Sequence, residues 1–168
     1  MRRDAHDFLT KLAAGLLFSL FACLLPLAGG ALGEPGTGAE ERLLHELIST
    51  YFSSWSKPDM SVYKSCFHPQ ATVYFLDAAG KPHRSLLDEF VAGQERVQHQ
   101  GARPMTERPT HTSLAVYGRL ARAEVRWELH RNGATATGTD FFTFLKTDTG
   151  WKIISLIFEQ DKKQISSR

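Results

Sequence analysis

TDFFTFLKTDTGWKIISLIFEQ, residues 139–160, reads as one long β-hairpin. Two arms rich in aromatic and β-branched residues flank Thr147-Asp148-Thr149-Gly150, where the glycine supplies the positive φ such a turn needs. Phe142, Phe144, Ile154, Leu156 and Phe158 fall on one alternating set, and Phe141, Leu145, Ile153 and Ile157 on the other. A strand pair that is apolar on both faces is expected at the centre of a sheet and covered on each side.

Outward from the hairpin, the chain has two unlike parts. Of its 168 residues 42% are hydrophobic, enough for one domain. Arg2, Arg3 and Lys11 precede an uncharged run from Leu12 to Leu32 that ends in small residues. That layout is a secretory signal peptide, with cleavage expected after Gly33. The alternatives are an uncleaved anchor, since 21 uncharged residues can span a bilayer, and a lipoprotein at the poor Leu20-Phe21-Ala22-Cys23 lipobox. In each case the folded part is exported, periplasmic or secreted, and meets a membrane only if residues 12–32 are retained. Of the chain's 20 basic and 18 acidic residues, 17 and 16 fall after Gly33. So even a balance gives no steering toward nucleic acid. Cys66 is the one cysteine after Gly33 and reads as a small buried residue; the core alone must hold this part together.

Residues 34–39 read as a linker. From Glu40, Leu43, Leu44, Leu47, Ile48, Tyr51, Phe52 and Trp55 form a helical stripe. Asp59 caps a short second helix with Met60, Tyr63 and Phe67 inward, stopped at His68-Pro69. Gln70–Leu76 is a strand and Pro82–Arg84 a stub of its return. Ser85-Leu86-Leu87-Asp88 matches a capping box and opens a third helix with Leu86, Leu87, Phe90, Val91 and Val97 inward. Four strands follow: 110–117, 120–130, 134–146 and 151–160, with Asn132-Gly133 a strong hairpin signal. Residues 161–168 read as a polar tail. The order ααβ(β)αββββ predicts an α+β fold, in which three helices cover the concave face of a strongly curved mixed sheet. An incompletely filled cone of this kind is a pocket.

The chain resembles the NTF2-like superfamily, in particular its SnoaL-like and putative lumazine-binding branches. The resemblance is carried by Tyr51 to Trp55 with Pro58-Asp59 after them, Phe67-His68-Pro69-Gln70-Ala71, Gly118 with Ala121, and Asp140-Phe141 through Phe144-Leu145-Lys146 to Gly150-Trp151-Lys152-Ile153-Ile154-Ser155. It covers residues 40–160 and implies a helix-lidded cone that often forms homodimers through the outer sheet face. The superfamily spans isomerases, dehydratases, cyclases and non-catalytic binding domains, so the fold does not select among them.

Asp140 opens an otherwise apolar strand. In an apolar cavity its pKa would rise and it could carry a proton; at a strand end it would instead bond to backbone or an arginine. His111 is the second candidate proton carrier, and Asp77 a third. Ketosteroid isomerase, a superfamily relative, pairs an aspartate base with tyrosine and protonated aspartate donors, and that trio does not map onto this chain. Tyr51, Trp55, Tyr74, Trp127 and Phe142 are expected either to line the cavity around a ligand or to pack as core. The seven histidines show no metal-ligand spacing, and no phosphate loop or nucleophile elbow occurs, so no metal or cofactor is expected. Arg119, Arg122, Arg126 and Arg131 are read with Glu124, Glu128 and His130 as a mixed-charge outer face. Three functions follow: an exported module binding a small hydrophobic or aromatic molecule, a cofactor-independent isomerase, dehydratase or hydrolase using Asp140 or His111, or a non-catalytic dimerisation module.

Overall fold

The computed structural model describes residues 37–77, 79–99 and 105–161. The N-terminal apolar segment, residues 34–36 of the linker and nearly all of the polar tail lie outside the described residues; residues 37–39, read as linker, are the first turn of a helix. No helix among those described is long and apolar enough to cross a membrane.

Helix α1, Thr37–Ser56, turns Leu44, Ile48, Tyr51, Phe52 and Trp55 into the core, a stripe with helical spacing. Leu43 lies off that stripe and is exposed. The N-terminal turn is tied to the sheet by Glu40, whose carboxylate accepts from Lys146 Nζ and Trp151 Nε1, each at 2.7 Å. Asp59 caps α2, Met60–Ser65, as expected, its side chain accepting the Val62 N–H at 3.1 Å. Tyr63 of α2 is buried. The following strand starts earlier than expected. Strand β1, Phe67–Leu76, pairs Phe67 with Ile153 and then Thr72 with Ser155, leaving His68, Pro69 and Gln70 as a bulge. Pro69 has no N–H for the ladder, so the strand bends out around it rather than beginning after it.

Strand β2, Pro82–Leu86, is a five-residue strand that runs into α3, Leu87–His99. The cap here is shifted by one residue: Glu89 reaches back to the Leu86 N–H at 3.4 Å, rather than Asp88 to Ser85. Leu87, Phe90 and Val91 face inward, while Leu86 and Val97 are exposed, against expectation.

Strands β3 (Thr106–Tyr117), β4 (Leu120–Arg131), β5 (Ala134–Thr147) and β6 (Gly150–Gln160) form the meander. Asn132 and Gly133 both take positive φ at the β4–β5 turn. The strand order is β2-β1-β6-β5-β4-β3, with β1 and β6 parallel and every other pair antiparallel. The helices pack on one face, α1 against β3 and β6 and α3 against β1. The fold is the expected α+β cone with a curved, mixed six-stranded sheet.

The β5–β6 hairpin is central, but its two faces differ from the simple alternation. Thr143 pairs with Ser155 and Phe144 with Ile153, so Ile154 is an extra residue in β6. The bulge reverses the phase and drives Ile153 and Trp151 into the core beside Phe144. The outer face is not covered within the described chain: Phe141 and Ile157 remain about half exposed.

Candidate functional site

Strand β4 alternates strictly, with Ala121, Ala123, Val125 and Trp127 buried and the residues between them exposed. Opposite Trp127 on β5 stands Gly138. A Cβ at that glycine would collide with Cζ2 and Cη2 of Trp127 and with the Glu159 carbonyl. The missing side chain therefore lets the indole lie flat across β5 and reach the next inward residue, Asp140. Trp127 Nε1 donates to Asp140 Oδ1 at 2.7 Å, and the nearby Tyr51 hydroxyl favours the ionised form of that carboxyl.

Tyr51 comes from α1 and sits in an aromatic cluster. Its ring centroid is 4.9 Å from that of Tyr63 and 5.2 Å from that of Phe142, the latter edge to face. Burial holds both tyrosine hydroxyls well above their usual pKa, so each remains a proton-bearing donor. Trp55, one turn further along α1, donates its indole N–H to Gln94 Oε1 of α3 at 2.8 Å, and Gln98 Nε2 donates to the Trp55 carbonyl at 2.9 Å. These bonds fix the gap between α1 and α3.

A cavity of about 290 Å³ opens between the helices and the sheet. Tyr51, Trp55, Tyr63, Trp127 and Phe158 form aromatic walls, with Met105 and Leu129 among the apolar residues between them. Two carboxyl groups line it, Asp140 and Glu107. Glu107 is placed by β3, which begins at Thr106, and by Ser56 at the end of α1: Glu107 N donates to Ser56 Oγ at 2.9 Å, and Ser56 Oγ donates to the Glu107 carbonyl at 3.0 Å.

Burial raises the Asp140 carboxyl from its ordinary 3.8 to about 7, against the opposing pull of the Trp127 and Tyr51 donors. Burial, and then the nearby Asp140 charge, hold Glu107 well above the usual carboxylate range as well. Two carboxyls in one dry site cannot both ionise cheaply, so near neutral pH the pair holds at least one proton. Glu107 keeps partial access to solvent whereas Asp140 is buried.

The residues singled out by sequence separate in space. Tyr51, Trp55, Trp127 and Asp140 converge on the cavity, and Phe142 packs behind Tyr51. Tyr74 does not join them: Ala71 and Val73 take the inward positions of β1, which turns Tyr74 outward beside Ile157. His111 is likewise exposed, paired with Arg126 on the outer side of the β3–β4 ladder after a bulge at Pro109. Asp77 sits in the β1–β2 turn, where His83 Nε2 lies 2.8 Å away and holds its carboxyl below the ordinary value. Arg131 leaves the outer face it was assigned to, because it follows Trp127 and Leu129 by even steps and reaches the cavity. Glu107 was missed because it lies between Pro104 and Pro109, ahead of the 110–117 stretch read as the strand; the one signal was the inward parity it shares with Met105. Among the described residues no cluster of three His, Cys, Asp or Glu side chains is placed to hold a metal. Cys66 is buried, and its thiol is pushed up to about 11 by that burial.

A family profile described as putative lumazine-binding matches residues 39–159. Solved structures share the fold. An NTF2-like superfamily protein from Salmonella enterica serovar Typhimurium is 22% identical, with a TM-score of 0.63 over 79% of this chain and 99% of that one. A protein of unknown function from Mycobacterium tuberculosis gives 0.66 at 16% identity over 80% of each chain. A protein described as a putative dehydratase from the NTF2-like family, from Streptomyces avermitilis, gives 0.64 at 12% identity over 74% of this chain and 98% of that one. No functionally curated protein matches the chain in sequence.

Proposed function

We propose, for a chain that belongs to the putative lumazine-binding family of NTF2-like proteins, that the cone cavity binds a small planar molecule and that its two carboxyls move a proton on it. The observation that carries this reading is the convergence of Asp140 and Glu107 in one aromatic-walled cavity. A volume of about 290 Å³ suits a molecule of one or two rings, near the lower end of the roughly 300–1,000 Å³ of ligand clefts. Lumazine, the planar bicycle of the family's description, is of that size and shape.

The chemistry follows from the unequal surroundings of the two acids. Asp140, when ionised, is a base held in place by Trp127, with a pKa of about 7, near neutral pH, where proton transfer is most efficient. Glu107 retains its proton and can give it to a carbonyl oxygen as charge develops there. A proton leaves the carbon next to the carbonyl for Asp140, the oxygen gains one from Glu107, and an enol results. Returning a proton to another carbon gives an isomerisation, and expelling a β-hydroxyl as water gives a dehydration.

The test is exchange of the C1 protons of 2-tetralone in deuterated buffer, followed by proton NMR. The full-length protein is expected to accelerate exchange, and Asp140→Asn to return it to the buffer rate while still quenching tryptophan fluorescence on binding lumazine. Binding without exchange in the wild type would reduce the site to a binding pocket. Neither binding nor exchange would remove both readings.

The N-terminal segment supports action outside the cytoplasm, checked by sequencing the mature N-terminus, expected at Glu34. A homodimer through the outer face is favoured by Phe141 and Ile157, exposed at the middle of the sheet beside Tyr74.

A further inference from the structure

The two ends of the cavity differ in chemistry. In the buried interior the donor Trp127 Nε1 is spent on Asp140, leaving the carboxyls of Asp140 and Glu107 to meet a ligand. At the open end stand Arg131, the last residue of β4, with Gln94 and Gln160. Arg131 is exposed and forms no ion pair among the described residues, although Arg108, Lys64 and Lys146 all do. The orientation of Gln94 is set, because its Oε1 accepts the Trp55 indole N–H at 2.8 Å. Its amide N–H groups are therefore the part left for a ligand. The mouth offers N–H donors and a positive charge, and the interior between Phe90, Leu129 and Phe158 offers only apolar surface.

An anion has one favourable place in such a cavity. In the buried interior it would face two carboxyls in a dry site, where an unpaired charge is costly. At the mouth it keeps part of its hydration and meets a guanidinium whose forked N–H groups match a carboxylate.

Building on the reading that a small planar molecule occupies the cone, we propose that this molecule is an organic acid. Its carboxylate is held at the mouth by Arg131 and the Gln94 amide, its flat apolar body lies between Trp127 and Phe158, and its uncharged far end faces Asp140 and Glu107. Arg131 is then the residue that sets ligand specificity, and it takes no part in proton transfer.

The test compares two probes of nearly equal shape, 2-naphthoate and 2-naphthamide, binding to the full-length protein in mild detergent, read by tryptophan quenching and calorimetry. The wild type is expected to prefer the anion by about tenfold at low salt, the preference shrinking as ionic strength rises. Arg131→Gln should erase the preference and leave naphthamide affinity within about twofold, since the exposed side chain leaves the fold intact. Arg131→Lys should keep most of the preference because the charge survives. Equal affinity for both probes in the wild type would overturn the organic-acid assignment while leaving the cavity reading standing. A preference that survives Arg131→Gln would overturn the role of Arg131. Failure of both probes and of lumazine to bind would overturn the assignment together with the reading it rests on.

Discussion

Replacing Asp140 by asparagine should make the protein relatively more stable at pH 7.5 than at pH 4.5, and the size of that change follows from burial. Asp140 is 3% exposed, and its carboxyl titrates at about 7 in the folded chain against an ordinary 3.8. Below about pH 4 the group is protonated both folded and unfolded and contributes no pH dependence. Between about pH 4 and pH 7 the unfolded chain releases this proton while the folded chain keeps it, so stability falls as pH rises. Above about 7 both states are ionised and the loss is complete. A shift of about three pH units corresponds to on the order of 4 kcal/mol. Asparagine has nearly the same shape, still accepts the Trp127 N–H through its carbonyl, and cannot ionise. Urea unfolding of wild type and Asp140→Asn, followed by tryptophan fluorescence at half-unit steps from pH 4.5 to 8, should show their difference shifting toward the variant by about that amount. Relief of Glu107, whose pKa the Asp140 charge raises, adds in the same direction. A difference that stays flat across the range would mean Asp140 ionises as an ordinary carboxylate. The proton-transfer reading would fall with it.

Trp127→Phe keeps the wall and removes the donor to Asp140, so the apparent pKa of that carboxyl should rise further in an NMR titration, with a stability loss of about 1–3 kcal/mol. Gly138→Ala should cost about 1–3 kcal/mol or more in urea unfolding, since the new methyl must displace the Trp127 ring or the Glu159 backbone. An unchanged midpoint would show that the indole does not lie across β5. On the outer face, Phe141→Lys combined with Ile157→Lys should convert a dimer into monomers by light scattering, with unfolding changed by no more than about 1 kcal/mol because both side chains are already half exposed. A wild type that already runs as a monomer would rule out that interface.

Local rules suffice for much of this chain. Turn chemistry at Asn132-Gly133 and at Gly150 defines both central hairpins, because positive φ is available there at little cost. Helical spacing from Leu44 to Trp55 and strict alternation from Ala121 to Trp127 define which sides face the core. Asp140 stood out because a charged residue directly before the apolar run Phe141–Leu145 is unusual on any face; in the structure it lies in the middle of β5. Phase is where local reading fails. The extra residue at Ile154 reverses the alternation of β6, and the bulge near Pro109 does the same for β3. Such bulges arise from the ladder partners, which lie far away along the chain.

The candidate site depends still more on those distant partners. Sequence by itself determined that the chain makes a curved, helix-covered sheet and that Tyr51, Trp55, Trp127 and Asp140 are rich in chemical options, since residue type and periodicity are local properties. Only the tertiary structure decided that Tyr74 and His111 face away from the cavity and that Arg131 faces its mouth. It alone brought Glu107, which lies between Pro104 and Pro109, to the same cavity as Asp140. The raised pKa values belong to that meeting as well, for desolvation and charge coupling act through space and leave no mark on the order of residues.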